Sequence, residues 1–203
     1  MVSNGGINWM FRGLNVKKIV VDRNGFNIPR LYGTFYSTRG LESFPQIDLS
    51  TVTDSNLAFY QARFNIPDPE NYVCPMVYSM PLCKTLSAFF SETEWGSEYA
   101  TSNAYPNFIN TDSLESVHQM FQGARIKGEF NKHITNRKVV YSNFISGCSQ
   151  ITSINNSVKF NVYKDMTNFI GTTSLSSSFS LDCSGYDNPI DIYMKNSPGD
   201  TNL

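Results

Sequence analysis

Along this chain apolar and polar positions recur around a Phe at a near-fixed interval. The anchors are Phe11, Phe35, Phe59, Phe90, Phe121, Phe144 and Phe169, with steps of 24, 24, 31, 31, 23 and 25 residues. Two steps are longer by about one loop. Other columns keep the same register. Four residues before the anchor stand Ile7, Leu31, Leu86, Val117 and Val140, with Ser55 and Asp165 as exceptions. Seven before it stand Ile28, Val52, Cys83, Leu114 and Val162, with Arg137 as the exception. Apolar residues at these offsets share one face of a 3.6-residue helix, so each stretch leading into a Phe is predicted as a short amphipathic helix. Three residues after the anchor lies a small-residue column, Thr38, Ala62, Thr93, Ala124, Gly147 and Thr172, interrupted only by Leu14. It implies a tight turn. Five to seven residues after the anchor an apolar residue returns (Val16, Leu41, Phe64, Trp95, Ile126, Ile151, Leu175), as a half-buried strand requires.

Each repeat is thus expected to run helix, tight turn, short strand and loop. A step of roughly 20 to 29 residues falls in the range of leucine-rich-repeat solenoids. The expected fold class is α/β, a leucine-rich-repeat solenoid of about seven short helix-turn-strand repeats. Residues 1–6 form an N-terminal tail, residues 7–182 the solenoid, and residues 183–203 a C-terminal strand and tail. The alternative is a single aromatic-rich domain whose Phe spacing is accidental. In the solenoid every Phe points into a continuous core, where burial of one such side chain stabilises by about 1.5 to 3 kcal/mol.

Residues 144–154, FISGCSQITSI, carry the Phe, a Cys four positions on, and two aliphatics bracketing a short strand, and so resemble the repeat of BspA-like leucine-rich-repeat proteins. Residues 113–124, SLESVHQMFQGA, resemble the Met-Phe-x-Gly variant, and residues 30–50 and 165–181 are more degenerate copies. Cys holds its column only at Cys148; the equivalent positions are Asn15, Arg39, Arg63, Glu94, Arg125 and Thr173. The resemblance implies a non-enzymatic module for adhesion or protein contact at a surface, and related repeats occur in phage and other virus proteins.

Composition narrows the partners. Sixteen Lys and Arg against 17 Asp and Glu give a net charge of −1, with no long basic run, so neither nucleic acid nor an anionic membrane is indicated. No apolar run approaches the ~18 residues of a membrane span. The first residues, MVSNGGINWMF, lack the basic and apolar regions of a signal peptide. The expected location is a virion or cell surface, with neighbouring chains of an assembly as partners. No cofactor or metal site is expected, because His118 and His133 stand apart from Cys74, Cys83, Cys148 and Cys183. The cysteines read as reduced and structural, although a bridge between Cys74 and Cys83 is conceivable. No phosphate loop, nucleophile elbow or His-Glu-x-x-His motif occurs, and no catalytic residue is assigned.

Two surfaces are candidates for binding a protein or glycan. Arg39, Arg63 and Arg125 share one offset from the anchor, so stacking would set Arg39 beside Arg63 on the outside. Residues between the buried strand positions, Lys17, Lys18, Glu42, Ser43, Lys127, Thr152 and Ser153, would face outward on the strand side. The alternatives are a purely structural virion or decoration subunit packing on its neighbours and, less favoured, a glycan-processing enzyme whose carboxylate pair is invisible in sequence.

Overall fold

The computed structural model describes residues 7–20, 28–155, 157–162, 167–171 and 181–182; the expected tails at 1–6 and 183–203 lie outside these residues. The chain winds as a stack of coils, each laid parallel on the next.

The stretches expected to be amphipathic helices are not helical. Among the described residues there is no α-helix, and the one helical turn is a 3₁₀ segment at Ser102–Ala104. The helix-turn-strand solenoid is therefore corrected to coils of linked β-turns and short parallel strands. In the coil around Phe35, the N–H groups of Thr34, Tyr36 and Thr38 donate to the carbonyls of Leu31, Gly33 and Phe35, three residues back. The intervening N–H groups of Gly33, Phe35 and Ser37 donate instead to Asn56, Ala58 and Tyr60 of the following coil. Each N–H thus has a partner without an α-helix, as a buried backbone demands. The same alternation runs through the coils around Phe11, Phe59, Phe90 and Phe121.

Such a chain of turns needs left-handed residues two positions before and two after its apex. Gly33 and Ser37 flank Phe35, Leu57 and Gln61 flank Phe59, Ala88 and Glu92 flank Phe90, and Gln119 and Gly123 flank Phe121, all with φ between 50 and 65°. A positive φ at the third residue of a turn is the type II signature. For the non-glycine residues it costs about 1 to 2 kcal/mol each, offset by the hydrogen bonds on either side. The four-residue period of this turn chain explains the misleading pattern. Buried positions fall at apex −7, −4, 0 and +3, which is also the face pattern of a helix.

The apex hydrogen bonds also correct the alignment of the last repeats. Phe121 N–H donates to Phe144 O, as Phe90 N–H does to Met120 O, so Phe144 sits one position before its apex, which is Ile145. Asn143 and Gly147, both with positive φ, flank Ile145 in the same way. Phe169 likewise precedes the apex Ile170. Both columns face inward, so the ring ladder crosses from one to the other. Successive centroids from Phe11 to Phe169 lie 5.4, 4.6, 5.7, 5.4, 5.5 and 5.7 Å apart. The realignment moves Cys148 into the small column with Thr38, Ala62, Thr93 and Ala124, where its thiol is buried and donates to Phe121 O.

After each turn chain the backbone extends into a short strand. β1 (Arg39–Leu41), β2 (Arg63–Phe64) and β4 (Glu94–Trp95) form a parallel sheet, with Arg39 opposite Arg63 and Arg63 opposite Glu94. The two long coils use their extra residues for a side layer. It contains β3 (Val77–Ser79), paired in parallel with β5 (Asn107–Ile109). Its buried Tyr105 accepts from Trp95 Nε1 at 3.2 Å, and Phe108 packs on Phe89 and Phe90. β6 (Lys127–Phe130) pairs with β7 (Gln150–Ile154), and β8 (Phe160–Asn161) with β9 (Leu181–Asp182). Cys74, Cys83 and Cys148 are free, buried thiols.

Two stability measurements check this account. Phe121→Ala, at a fully buried apex touching Phe90, Phe130 and Phe144, is expected to lose about 3 to 5 kcal/mol in denaturant unfolding. A protein that keeps full stability without this ring would refute the ladder as the core. At Gln119, φ 55°, Gly should be neutral or stabilising by up to about 1 kcal/mol and Val destabilising by about 1 to 2. A helix would answer differently, with Gly costing about 1 kcal/mol relative to Ala.

Candidate functional site

Where turn chain passes into strand, two columns of side chains emerge on the same side. The residues two positions after the apex are Ser37, Gln61, Glu92 and Gly123, each held at positive φ. Those four positions after it are Arg39, Arg63, Glu94 and Arg125. Together, from four consecutive coils, they line a polar groove of about 330 Å³. Its walls are set by the backbone lattice, since Arg39, Arg63 and Glu94 are direct parallel partners in β1, β2 and β4.

Within the groove most charges are satisfied by the protein itself. Glu94 accepts from Arg63 Nε at 2.6 Å and is also paired with that guanidinium's Nη2, while Arg125 Nη2 lies 3.6 Å from its other oxygen. Arg125 further donates to Gly96 O at 3.2 Å. Glu92 accepts from Gln61 Nε2 at 2.7 Å and from the Tyr60 hydroxyl at 2.9 Å. Burial and this bond to Glu92 push the Tyr60 phenol up to about 12. Ser37 Oγ donates to Gln61 Oε1 at 3.3 Å. Arg39 is exposed, and among the described residues it has neither an ion pair nor a side-chain hydrogen bond. Three arginines against two glutamates leave the groove with a net charge of +1, and Arg39 is the guanidinium without a partner.

Aromatic rings lie next to these columns. Tyr36 and Tyr60 stack at 5.1 Å with planes 21° apart, Trp9 lies 5.6 Å from Tyr36, and the Arg12 guanidinium sits about 5 Å from both Trp9 and Tyr36. Tyr36 and Tyr60 are half-buried.

The other sequence candidates are spread over separate surfaces. Lys17 and Glu42 are neighbours on adjacent coils and form an exposed ion pair at 3.1 Å, with Lys18 exposed and Ser43 half-buried beside them. Lys127 begins β6 and is paired with Glu70 at 2.6 Å, so the segment around Glu70 lies against it. Thr152 is exposed on β7, and Ser153 stands opposite Glu129. The strand face is interrupted between β4 and β6. There the chain turns outward, with an antiparallel bridge between Trp95 and Glu98, and pairing resumes at Ala100 opposite Ile126.

Sequence reasoning missed the pairing of Glu94 with Arg63 and Arg125, and the bonds that Glu92 accepts from Tyr60 and Gln61. The available signal was Glu94 in the column of Arg39, Arg63 and Arg125. It also missed Lys132. This amine is buried, donates to Asn107 Oδ1 at 2.8 Å, and has no carboxylate partner among the described residues. Loss of solvation lowers its pKa to about 8, against a smaller opposing effect of the nearby Cys74. Cys74, also buried, has its thiol pushed up chiefly by desolvation. No cluster of three potential metal ligands occurs among the described residues, and none of their helices is long and apolar enough to cross a membrane.

The fold and groove define a stack of parallel coils carrying a polar surface site. No protein-family model matches the chain, and neither curated proteins nor solved structures contain a match.

Lys132 gives a pH prediction. Its folded pKa of about 8 lies below the unfolded value near 10.5, so the unfolded chain binds the proton more tightly. The cost of burying the charge is full below pH 8 and is relieved as pH rises towards 10.5. Wild type should therefore gain stability relative to Lys132→Met between pH 7.5 and about 9.5, read from parallel denaturant titrations. Both proteins should carry Cys74→Ala, because the thiol and the amine influence each other and the thiol's titration would otherwise change with the loss of Lys132. A flat difference would show the amine to be solvated.

Proposed function

We propose that this chain is a non-enzymatic recognition module that binds a protein or glycan partner through the outward face of β1, β2 and β4 and the groove beside it. The observation that carries this reading is Arg39, an unpartnered guanidinium at a groove whose other charged side chains are already engaged by protein partners. A guanidinium presents a rigid fork of donors and is favoured at interfaces. The resemblance of the repeat motifs to BspA-like repeats, which serve in adhesion and protein contact, points the same way and to a cell or virion surface. Fold likeness by itself assigns no partner. Catalysis is disfavoured because both groove carboxylates are engaged by the protein's own donors, with Glu94 held between two arginines.

A structural subunit is the second reading. The first coil exposes Trp9, Met10 and Leu14, an apolar surface of the kind that packs against a neighbouring chain.

An array of neutral glycans, acidic glycans and surface proteins, probed with wild type, Arg39→Ala/Arg63→Ala and Lys17→Ala/Lys18→Ala, separates these readings. Recognition through the groove is supported by saturable binding that the arginine variant weakens tenfold or more and the lysine variant leaves intact. If nothing on the array binds, and light scattering shows an ordered oligomer that Trp9→Ala disperses, the structural reading replaces it.

A further inference from the structure

The recognition reading leaves the chemistry of the ligand open, and the groove narrows it. Resting on that reading, we infer that the groove takes a carboxylate-bearing sugar, a uronic-acid unit of an acidic glycan, with Arg39 as the fork for its carboxylate and Glu92 as acceptor for its hydroxyls.

Charge accounting selects the carboxylate. Three arginines against Glu92 and Glu94 give the groove a net charge of +1, and with Arg63 and Arg125 both engaged by Glu94 the guanidinium left open to one negative charge is Arg39. A phosphate or sulfate cluster would require those arginines to abandon Glu94. The planar guanidinium of Arg39 matches a carboxylate with two parallel hydrogen bonds.

Hydroxyl donors are selected by the other end. Each Glu92 oxygen receives one bond from the protein, from Tyr60 on one side and Gln61 on the other. A carboxylate has about four acceptor sites, so each oxygen keeps capacity for a further donor. Sugar hydroxyls supply such donors beside their own carboxylate. A glutamate peptide offers only backbone N–H groups as donors, set apart from each carboxylate by a flexible side chain.

Shape agrees with a sugar. Arg39 and Glu94 are two strand spacings apart along the stack, about 9 to 10 Å at the backbone. The volume of about 330 Å³ is at the small end of ligand pockets, which run from about 300 to 1,000 Å³. Tyr60, anchored by its hydroxyl to Glu92 and stacked on Tyr36, places aromatic surface beside the groove, suited to the C–H faces of a sugar ring.

The test is calorimetric titration of the full chain with tetrasaccharides of α-linked galacturonate and β-linked glucuronate, their methyl esters, and a tetraglutamate peptide. At least one uronate should bind, tenfold or more tighter than its ester and than the peptide, and more weakly as salt rises. Arg39→Ala should abolish that tenfold preference, Arg39→Lys should recover only part of it, and Lys18→Ala should leave it unchanged. Unchanged near-ultraviolet circular dichroism confirms that the exposed substitutions leave the fold intact. Equal binding of acid and ester or tighter binding of the peptide overturns the sugar carboxylate and leaves groove recognition standing, whereas uronate binding indifferent to Arg39→Ala overturns the inference and also removes Arg39 as the support for groove recognition. If none of the probes binds, the inference falls, and the recognition reading is decided separately by the array.

Discussion

The structure depends on one arrangement of backbone hydrogen bonds, in which alternate N–H groups of each turn chain close a turn and the others pass to the next coil. Because this lattice uses only main-chain atoms, it constrains side chains mainly through φ and through volume. That is why apex −2 accepts residues as different as Trp9, Leu57, Ala88, Gln119 and Asn143, and apex +2 Ser37, Gln61 and Glu92, all at positive φ. The left-handed conformations are costly singly and are held because each lies between two bonds that would break with it. It is also why Phe can change places with Ile at the apex in the coils of Ile145 and Ile170. The core needs a large apolar residue in either of two adjacent inward columns, and the rings of Phe144 and Phe169 stack with planes 6° apart in the second as Phe11 and Phe35 do in the first.

The step between coils is legible in the sequence because it is set by large, fully buried rings that tolerate little change in volume. The conformation within a coil is not. A turn chain with a four-residue period buries positions at the same spacing as a helix, so apolar periodicity cannot tell them apart. Residue chemistry leans against the helix: the turn chains LYGTFYST and YSNFISGC consist mostly of Ser, Thr, Asn, Gly and aromatic residues, which are poor or indifferent helix formers. Anchoring on Phe alone also conceals the one-residue offset after Phe121. The 23-residue step to Phe144 is the trace it leaves, since the apex-to-apex step to Ile145 is 24.

For the groove, the arginine column could be read from sequence, but not its charge balance. Stacking places Arg39 and Arg63 side by side, an arrangement the sequence offset already suggested. What sequence could not supply is which cation is neutralised. Glu94 lies in the next coil on the same column and captures Arg63 and Arg125 from both sides, whereas the other neighbour of Arg39 in the column is the uncharged Asn15. One Glu placed in one coil therefore decides that the free guanidinium is Arg39. The strand-face lysines are less informative for the converse reason. Lys17 and Lys127 have acidic partners at short distance, in Glu42 and in Glu70 of the long coil's insertion, and neither partnership follows from the offsets.

Groove and stack are therefore linked physically. The column at apex +2 is oriented by positive φ, and the column at apex +4 is fixed by parallel pairing, so the functional side chains start from positions that the main chain has already set. Little ordering entropy remains to be lost at the backbone when a ligand arrives. Because the lattice bonds omit these side chains, the groove's residues can differ from coil to coil without disturbing the stack. Exposed pairs such as Arg63 with Glu94 contribute little to stability on their own, commonly below about 1 kcal/mol. Their physical effect is greater on the potential of the groove, where Glu94 engages two of the three arginines and leaves Arg39 without a partner.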